Sequence, residues 1–197
     1  MQRELYKQSG MCKMTSQQNS TMEFPHLETQ NLVLRAATDA SALFQVFADN
    51  EVMRYHNLEP PTHLEQVQGV IHRWSDRFTS NQGIRWGIAK KIDNLLVGSC
   101  GYRYKSPFLA ELGYELAKPY WRQGIMTEAL KAVIQYGFDP VGLNRIEAMV
   151  MPDNVASIEL LRKLGFVEEG VLREYGCWKG QFHDLAVLSL LKREYQI

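Results

Sequence analysis

The stretch KPYWRQGIMTEALKAVIQYGF, residues 118–138, joins a basic, glycine-containing turn to an amphipathic helix. Lys118, Arg122 and Gly124 precede the helix, and no acidic residue occurs in the stretch until Glu128. The first turn of a helix has unpaired N–H groups and partial positive charge, so acidic side chains usually stand there. Basic residues at that place indicate that an anion is bound instead.

This turn has the features of a phosphate site at the end of a strand. Gly124 permits a close backbone approach or unusual dihedral angles, and Arg122 supplies a guanidinium that suits a phosphate. The free N–H groups of residues 123–127 would point toward the same anion. The alternative is a tight strand-to-helix turn that needs a glycine, with Arg122 in solvent. The sequence contains neither a Walker A loop nor a GxGxxG fingerprint, which argues against an ATPase, a GTPase or a dinucleotide fold.

The composition is typical of one soluble globular domain: 197 residues, 45% hydrophobic and 22% charged. Lys+Arg and Asp+Glu both number 22, and this zero net charge argues against general nucleic-acid binding. Three distant cysteines without a CxxC pair argue against structural zinc or a disulfide framework and fit a reducing cytoplasm. No apolar run approaches the roughly 20 residues of a membrane span, so we expect no membrane partner.

The chain divides into a polar tail and one domain. Residues 1–24 are rich in Gln and Ser and show no hydrophobic period, which predicts a flexible N-terminal tail. Residues 25–197 carry periodic apolar segments in the order β-α-α-β-β-β-α-β-α-β-β, which predicts a mixed sheet with helices on its faces, an α+β or α/β domain. The predicted strands are residues 31–35, 84–89, 95–104, 111–117, 145–151, 166–177 and 183–191. The predicted capping residues of the helices are Thr38 or Asp39, Thr62 with Glu65, and Asp153 or Asn154.

The segment YWRQGIMTEALKAVIQYGF resembles motif A of the GNAT superfamily of N-acetyltransferases, in which a Q/R-x-x-G-x-G/A loop enters a helix and holds the pyrophosphate of acetyl-CoA. Met126 replaces the final small residue, a departure that also occurs in the RimJ/RimL-type branch. The segment GLNRIEAMVMPDNVASIELLRKLGFVEEGVLRE resembles motif B of that branch. ETQNLVLRAAT and GQFHDLAVLSLL resemble its two ends, so the resemblance covers about residues 25–197.

The resemblance implies a GNAT fold, with a mixed, mostly antiparallel sheet of about six to seven strands, helices on both faces and a splayed central strand pair. It also implies direct attack of a primary amine on acetyl-CoA, the cosubstrate, in a ternary complex without a metal. The RimJ/RimL-type branch points to the N-terminal α-amine of a protein such as a ribosomal protein. A small-molecule amine acceptor and a non-catalytic acyl-CoA-binding module are the alternatives, and we expect a monomer or a homodimer.

The resemblance assigns the cosubstrate site to a turn, a strand and a helix start. The strand is expected to splay and to offer free N–H groups near Leu116 and Ala117 to the thioester carbonyl, as in an oxyanion hole. Asn154 matches an asparagine that contacts the pantetheine or the acetyl region, although it also fits a plain helix cap. The residues expected to hold the pyrophosphate are Arg122, Gln123, Gly124, Ile125, Met126 and Thr127.

The resemblance also suggests the proton donor and the base. Many relatives carry a tyrosine seven residues after the asparagine, where this chain has Leu161. Ser157 matches a serine that is the proposed substitute in the RimL-like branch, and a solvated helix serine is the alternative. Glu115, on the strand expected to splay, and Glu174, where the RimL-like pattern favours a glutamate, are the candidate bases. A surface or salt-bridged glutamate is the alternative for both.

Acceptor recognition is expected from residues 53–74 and from the final hairpin. His183 and Asp184 are neighbours on a strand and point to opposite faces, which favours structural roles for both. The spacing of His56, His63 and His72 does not match a metal site. The ring-bearing residues that could line an acceptor groove, or fill the core instead, are Tyr55, His56, Trp74, Trp86, Tyr102, Tyr175 and Trp178.

Overall fold

The computed structural model describes residues 23–195, which form one eight-stranded sheet with helices packed on both faces. The strands are β1 (Leu27–Glu28), β2 (Leu32–Ala36), β3 (Gly83–Lys90), β4 (Leu96–Ser106), β5 (Leu109–Leu116), β6 (Arg145–Val150), β7 (Val167–Trp178) and β8 (Gln181–Leu191). The α-helices are α1 (Ala40–Phe47), α2 (Leu64–Thr79), α3 (Ile125–Phe138) and α4 (Val155–Lys163). Short 3-10 turns lie at Lys118–Tyr120 and Lys192–Glu194.

The strand order is β1-β2-β3-β4-β5-β6-β8-β7, and within this sheet the central pair β5–β6 is parallel while its neighbours pair antiparallel. The predicted fold class and splayed central pair are therefore confirmed. The sheet has eight strands rather than six to seven. The added strand, β1, has two residues, too few for a periodic pattern to reveal it.

Each face of the sheet has its own hydrophobic core. The face covered by α3 and α4 buries the larger core, which includes Trp86, Leu130 and Leu161. The face covered by α1 and α2 buries a smaller one, which includes Leu43 and Val67. Successive side chains of a strand point to opposite faces, and β4 accordingly contributes Leu96 to the smaller core and Val97 to the larger one.

Two helices begin at predicted capping residues. Asp39 Oδ1 accepts a hydrogen bond from the Ala42 N–H at 2.9 Å, and Asn154 Oδ1 accepts one from the Ser157 N–H at 3.3 Å. Each contact satisfies a backbone donor that the first turn of the helix leaves unpaired. Of the two predicted pairs, Asp39 and Asn154 are therefore the capping residues.

The predicted capping box of α2 is wrong by one residue. The pattern Thr62-x-x-Glu65 places the helix start at Thr62, whereas the helix begins at Leu64 after His63. Gln66 Oε1 accepts the N–H groups of Thr62 at 2.7 Å and His63 at 3.1 Å. Because the third helical residue is the one that reaches back to the cap, the later start transfers this role from Glu65 to Gln66.

The start of the packed domain includes the last predicted tail residue. Residues 1–22 of the predicted tail lie outside the described residues. Phe24 packs against Phe78, with ring centroids 4.9 Å apart, and against Trp86 at 6.1 Å. Trp86 Nε1 donates a hydrogen bond to the Pro25 carbonyl at 2.8 Å. The tail prediction therefore extends too far at its C-terminal end, because Phe24 belongs to the core.

We expect Phe24→Ala to lower the free energy of unfolding by about 2 kcal/mol, below the range for fully buried phenylalanines because Phe24 is half-buried. Urea denaturation followed by tryptophan fluorescence measures the change. Phe108→Ala is the matched control, because Phe108 is 60% exposed and should change stability by less than about 0.5 kcal/mol. Equal effects of the two substitutions would show that residues before β1 do not support the core.

Candidate active site

The strands β5 and β6 pair at only one end. Their register runs from Leu109 opposite Arg145 to Glu111 opposite Glu147, and no pairing of the two strands is recorded beyond it within the described chain. The strands then diverge, and residues 112–116 of β5 have no partner on that side. This divergence is the gap in which the candidate site lies.

The Leu116 N–H points into this gap. The next residue, Ala117, donates its N–H to the Val97 carbonyl at 2.8 Å on the β4 side. Backbone groups of successive strand residues alternate in direction, so the N–H and carbonyl of Leu116 face the β6 side. The Leu116 carbonyl accepts a hydrogen bond from Trp121 Nε1 at 2.7 Å on that side. Its N–H is thus left as a donor for a molecule bound in the gap.

The gap opens into a cavity of about 910 Å³ that reaches both faces of the sheet. Its wall on the α3 and α4 side includes Tyr114 and Ser157, and its wall on the other side includes His56, Arg85 and Glu115. Because adjacent strand residues point to opposite faces, Tyr114 and Glu115 face different ends of the cavity. One cavity can therefore receive two molecules from opposite faces and bring them together at the gap.

The turn before α3 leaves the helix start open to a ligand. Arg122 and Gly124 both have left-handed backbone conformations, with φ of 60° and 80°. Gly124 is the N-cap and provides no side-chain capping bond, and the Glu128 N–H makes an intrahelical bond to the Gly124 carbonyl at 2.9 Å. The N–H groups of residues 125–127 therefore have no intrahelical acceptor. A Cβ built on Gly124 meets no atom within 4 Å, so the space in front of these donors is open.

The acidic residue of this first turn is turned away from the anion site. Glu128 accepts hydrogen bonds from the Asn31 N–H at 2.7 Å and from the Asn31 side-chain amide at 3.0 Å. The carboxylate thus ties α3 to the start of β2. It therefore does not occupy the start of α3, where the sequence predicts a bound anion.

Most of the predicted cosubstrate residues come together in the cavity wall. Two do not. Ala117 uses its N–H in the pair with β4, and the Gln123 side-chain amide donates back to the Pro119 carbonyl at 2.7 Å. These contacts explain why Ala117 and Gln123 are absent from the wall. The predicted residues that line it are Leu116, Arg122, Gly124, Ile125, Met126, Thr127, Asn154 and Ser157.

Ser157 has a phenol as its partner. Its hydroxyl lies 2.6 Å from the Tyr114 hydroxyl, and both residues line the cavity. Burial raises the pKa of Tyr114 to about 12, although the hydrogen bond with Ser157 acts in the opposite direction. Leu161, at the position where many relatives carry tyrosine, is fully buried in the core. Tyr114 was not among the predicted site residues. It shares a face with Leu112 and Leu116 on the strand expected to splay, and this alternation with Gly113 and Glu115 is the signal that could have indicated it.

Glu115 is an ion-pair partner rather than a free carboxylate. One of its oxygens contacts Arg85 Nη2 and the other accepts a hydrogen bond from Ser99, while Arg85 Nε donates to Ser99 Oγ at 2.8 Å. The Glu115 side chain is only 4% exposed, and the Arg85 guanidinium lies over the Trp74 ring at 5.4 Å. This arrangement corresponds to the salt-bridge alternative and disfavours a role as the base.

Glu174 is exposed and does not line the cavity. It lies in an irregular part of β7, where the register shifts between Leu172 and Gly176, and its φ is 49°. Its N–H donates to Asp184 Oδ1 at 2.7 Å. This bulge turns the side chain away from the site, so the placement disfavours Glu174 as the base and gives Asp184 a structural contact.

The ring-bearing residues divide between groove and core. Trp86 and Tyr102 are buried in the larger core, and Trp74 packs edge-on against Phe47. His183 stacks on Trp178 with ring centroids 4.4 Å apart, which agrees with a structural role. Of the seven ring-bearing residues that were predicted for the groove, those that line the cavity are Tyr55, His56, Tyr175 and Trp178.

The loop between α1 and α2 is anchored at two points near the acceptor-side wall. The Tyr55 hydroxyl donates to the Asp153 carbonyl at 3.1 Å, immediately before the cap of α4. Lys179 Nζ, at the turn between β7 and β8, donates to the Met53 carbonyl at 2.9 Å. These contacts hold residues 53–56 in a fixed position beside the cavity.

Residues 23–195 provide neither a cluster of metal ligands nor a membrane-spanning helix. No group of His, Cys, Asp and Glu side chains there could hold a metal ion. No helix in the same range is long and apolar enough to cross a membrane.

Comparisons with known proteins agree with this geometry. A family model described as an acetyltransferase (GNAT) domain matches residues 31–167. The uncharacterized N-acetyltransferase YoaA of Bacillus subtilis (strain 168) is 41% identical over 173 residues, covering 86% of this chain and 98% of that protein. The [ribosomal protein uS5]-alanine N-acetyltransferase of Escherichia coli (strain K12) is 38% identical over 180 residues, covering 83% and 89% respectively.

A solved structure of RimL, the ribosomal L7/L12 α-N-protein acetyltransferase, in complex with coenzyme A has the same fold. Its TM-score is 0.76 at 22% sequence identity, covering 85% of this chain and 98% of that chain.

The split sheet, the open helix start and these similarities define an acyltransferase. The chain belongs to the GNAT family of N-acetyltransferases. The predicted resemblance to the RimJ/RimL-type branch is confirmed by relatives that act on ribosomal proteins. The predicted enzyme class is likewise confirmed.

Proposed function

We propose that this protein transfers the acetyl group of acetyl-CoA to the N-terminal α-amine of a protein, such as a ribosomal protein. The observation that carries the proposal is the unpaired Leu116 N–H in the strand gap, in the same cavity as the open start of α3. The first feature suits a thioester carbonyl and the second suits a pyrophosphate. The similarity to the uS5-alanine N-acetyltransferase supports a protein N-terminus as the acceptor.

The cosubstrate residues fit acetyl-CoA, whose thioester would supply the acetyl group. Arg122 and the N–H groups of residues 125–127 would hold the pyrophosphate, and the open space at Gly124 leaves room for it. Asn154 accepts the Ser157 N–H through Oδ1, which leaves its amide hydrogens for the pantetheine region. The Leu116 N–H would polarise the acyl carbonyl.

Ser157 and Tyr114 would serve together as the donor to the departing thiolate. Their hydroxyls share a hydrogen bond, so a proton that leaves Ser157 can be replaced from Tyr114. With a pKa of about 12, Tyr114 keeps its proton at neutral pH and can act as a donor. The pair thus takes the place of the tyrosine that Leu161 replaces.

Binding of the cosubstrate is tested by thermal unfolding with acetyl-CoA. At 100 times its dissociation constant, the ligand adds about 2.7 kcal/mol, which corresponds to a Tm increase of roughly 5–10 °C. We expect Gly124→Glu to abolish this shift, because the new carboxylate enters the anion site. Gly142→Glu is the matched control: Gly142 has φ of 78°, its Cβ would also meet nothing within 4 Å, and it does not line the cavity.

Gly142→Glu should therefore lose stability through the same backbone strain and still keep the full shift. No shift in the wild type at millimolar acetyl-CoA would contradict the proposed cosubstrate. An equal loss of the shift in both variants would contradict the proposed position of the pyrophosphate.

The acceptor is tested with three sets of amines and acetyl-CoA, with products located by mass spectrometry. We expect acetylation of peptides that have a free α-amino group and begin with Ala, Ser or Met. We expect no acetylation of the same peptides when the N-terminus is blocked and a lysine side chain is free. Turnover of small amines such as spermidine alone would support the small-molecule alternative. Acetyl-CoA binding without turnover of any amine would support a non-catalytic module.

The proton donor is tested by Ser157→Ala, Tyr114→Phe and the double variant. We expect each single change to lower kcat by about 10-fold, which is below the range of roughly 100-fold or more for general acids, because a thiolate leaves readily. The double variant should be no worse than the poorer single variant, because the two hydroxyls act as one unit. Tyr136→Phe is the control, since Tyr136 packs against Trp86 outside the cavity. Multiplicative effects in the double variant would show that the hydroxyls act independently.

A further inference from the structure

His56 is a cavity residue that the proposed roles leave unused. Its backbone N–H donates to the Met53 carbonyl at 3.1 Å, within the anchored loop between α1 and α2. The side chain is half-buried and lines the cavity on the Glu115 side of the sheet. Within residues 23–195, no side chain or backbone group makes a hydrogen bond to either ring nitrogen. The imidazole is therefore positioned by its backbone and offers its nitrogens to whatever enters the cavity.

Four structural elements determine the electrostatics of this ring. Burial in the loop lowers the pKa of His56 below its ordinary value, and the nearby charge of Glu115 on β5 acts in the opposite direction. Arg85 on β3 and Lys179 at the turn between β7 and β8 lower the pKa further. The imidazole is thus neutral at neutral pH and has a lone pair available.

We propose that His56, rather than a glutamate, accepts the proton of the acceptor amine. This inference rests on the proposed acetyltransferase function and names the base of that reaction. His56 and the pair of Tyr114 and Ser157 line opposite sides of the sheet, with the Leu116 N–H in the gap between them. The base therefore stands on the face from which the amine approaches, and the proton donor stands on the other.

The protons and electrons balance with these groups. The amine lone pair forms the new N–C bond, and the N–H proton passes to a ring nitrogen of His56. The C–S bond breaks with its electron pair on sulfur, which takes a proton from the hydroxyl pair. Solvent then removes the proton from His56 and returns one to the hydroxyls. The products are the acetylated amine and free CoA, and no other reactant is needed.

Glu115 acts on His56 through its charge. Its oxygens are held by Arg85 and Ser99, which fix the position of the carboxylate. Its negative charge favours the imidazolium that forms during proton transfer, whereas the charges of Arg85 and Lys179 oppose it. The carboxylate performs this role without taking the proton itself.

The inference is tested with His56→Gln, because glutamine keeps hydrogen-bonding capacity but does not titrate in this range. The probe is an Ala-initiated peptide with a free α-amine. We expect kcat to fall by about 100-fold or more, with KM for the peptide within about threefold and the acetyl-CoA thermal shift unchanged. His72→Gln, on the exposed face of α2, is the matched control and should retain wild-type kcat. A rise in KM with unchanged kcat would overturn the inference, since that result is expected of a residue that only contacts the acceptor.

The pH profile gives a second readout that a structural role would not move. Wild-type activity should fall as the pH drops through the pKa of His56, below about 6.5, because the protonated ring has no lone pair. This fall in activity is the acidic limb of the pH profile. Glu115→Gln should lower the pKa of His56 by removing an attractive charge, which moves the limb to lower pH. Lys179→Met should raise that pKa by removing a repulsive charge, which moves the limb to higher pH. A limb that stays in place in both variants would overturn the inference.

A test on the unaltered protein covers the case in which a variant does not fold. Diethyl pyrocarbonate modifies neutral imidazoles, and mass spectrometry of digested protein identifies which of the five histidines react. We expect activity to be lost in step with the modification of His56. Addition of the Ala-initiated peptide should slow both the modification and the loss of activity. Full activity after complete modification of His56 would overturn the inference while leaving the acetyltransferase function intact. If the wild type neither binds acetyl-CoA nor acetylates any amine, the proposed function itself fails.

Discussion

The early end of the pairing between β5 and β6 is the constraint on which the site depends. Three residue pairs join the two strands, after which they separate. Had the pairing continued, the Leu116 N–H would be a ladder donor and the two faces of the sheet would be sealed from each other. Because it stops, one backbone donor is freed and an opening through the sheet appears. The 3-10 turn at Lys118–Tyr120 directs the chain from this opening into α3, so the anion site lies beside it.

Charge is distributed unevenly across this opening. On the α3 side, the polar groups are helix N–H donors, hydroxyls and a single guanidinium, Arg122, which together suit an anionic ligand. On the opposite side, Arg85 and Glu115 form a buried ion pair in the wall. Arg103 and Lys105 also line the cavity and pair with Glu111. His56 is a neutral basic group on this side. The two substrates thus meet surfaces of different character.

Sequence patterns predicted those parts of the site that are local along the chain. The turn before α3 and the order of the longer elements could be predicted, because each depends on residues within one or two helical turns. Ser157 was indicated by the family resemblance and not by a local pattern. Contacts between distant strands could not be predicted. Tyr114 meets Ser157 across 43 positions, and Arg85 meets Glu115 across 30. The irregular register of β7, which turns Glu174 outward, likewise depends on pairing with β8.

The hydrogen bond from Tyr55 to the Asp153 carbonyl ties the two walls of the cavity together. Asp153 immediately precedes the helix that carries Asn154 and Ser157, whereas Tyr55 belongs to the loop that carries His56. The bond therefore joins the cosubstrate side of the cavity to the acceptor side through the protein itself. The two walls are held together at this point even where the strands between them have separated.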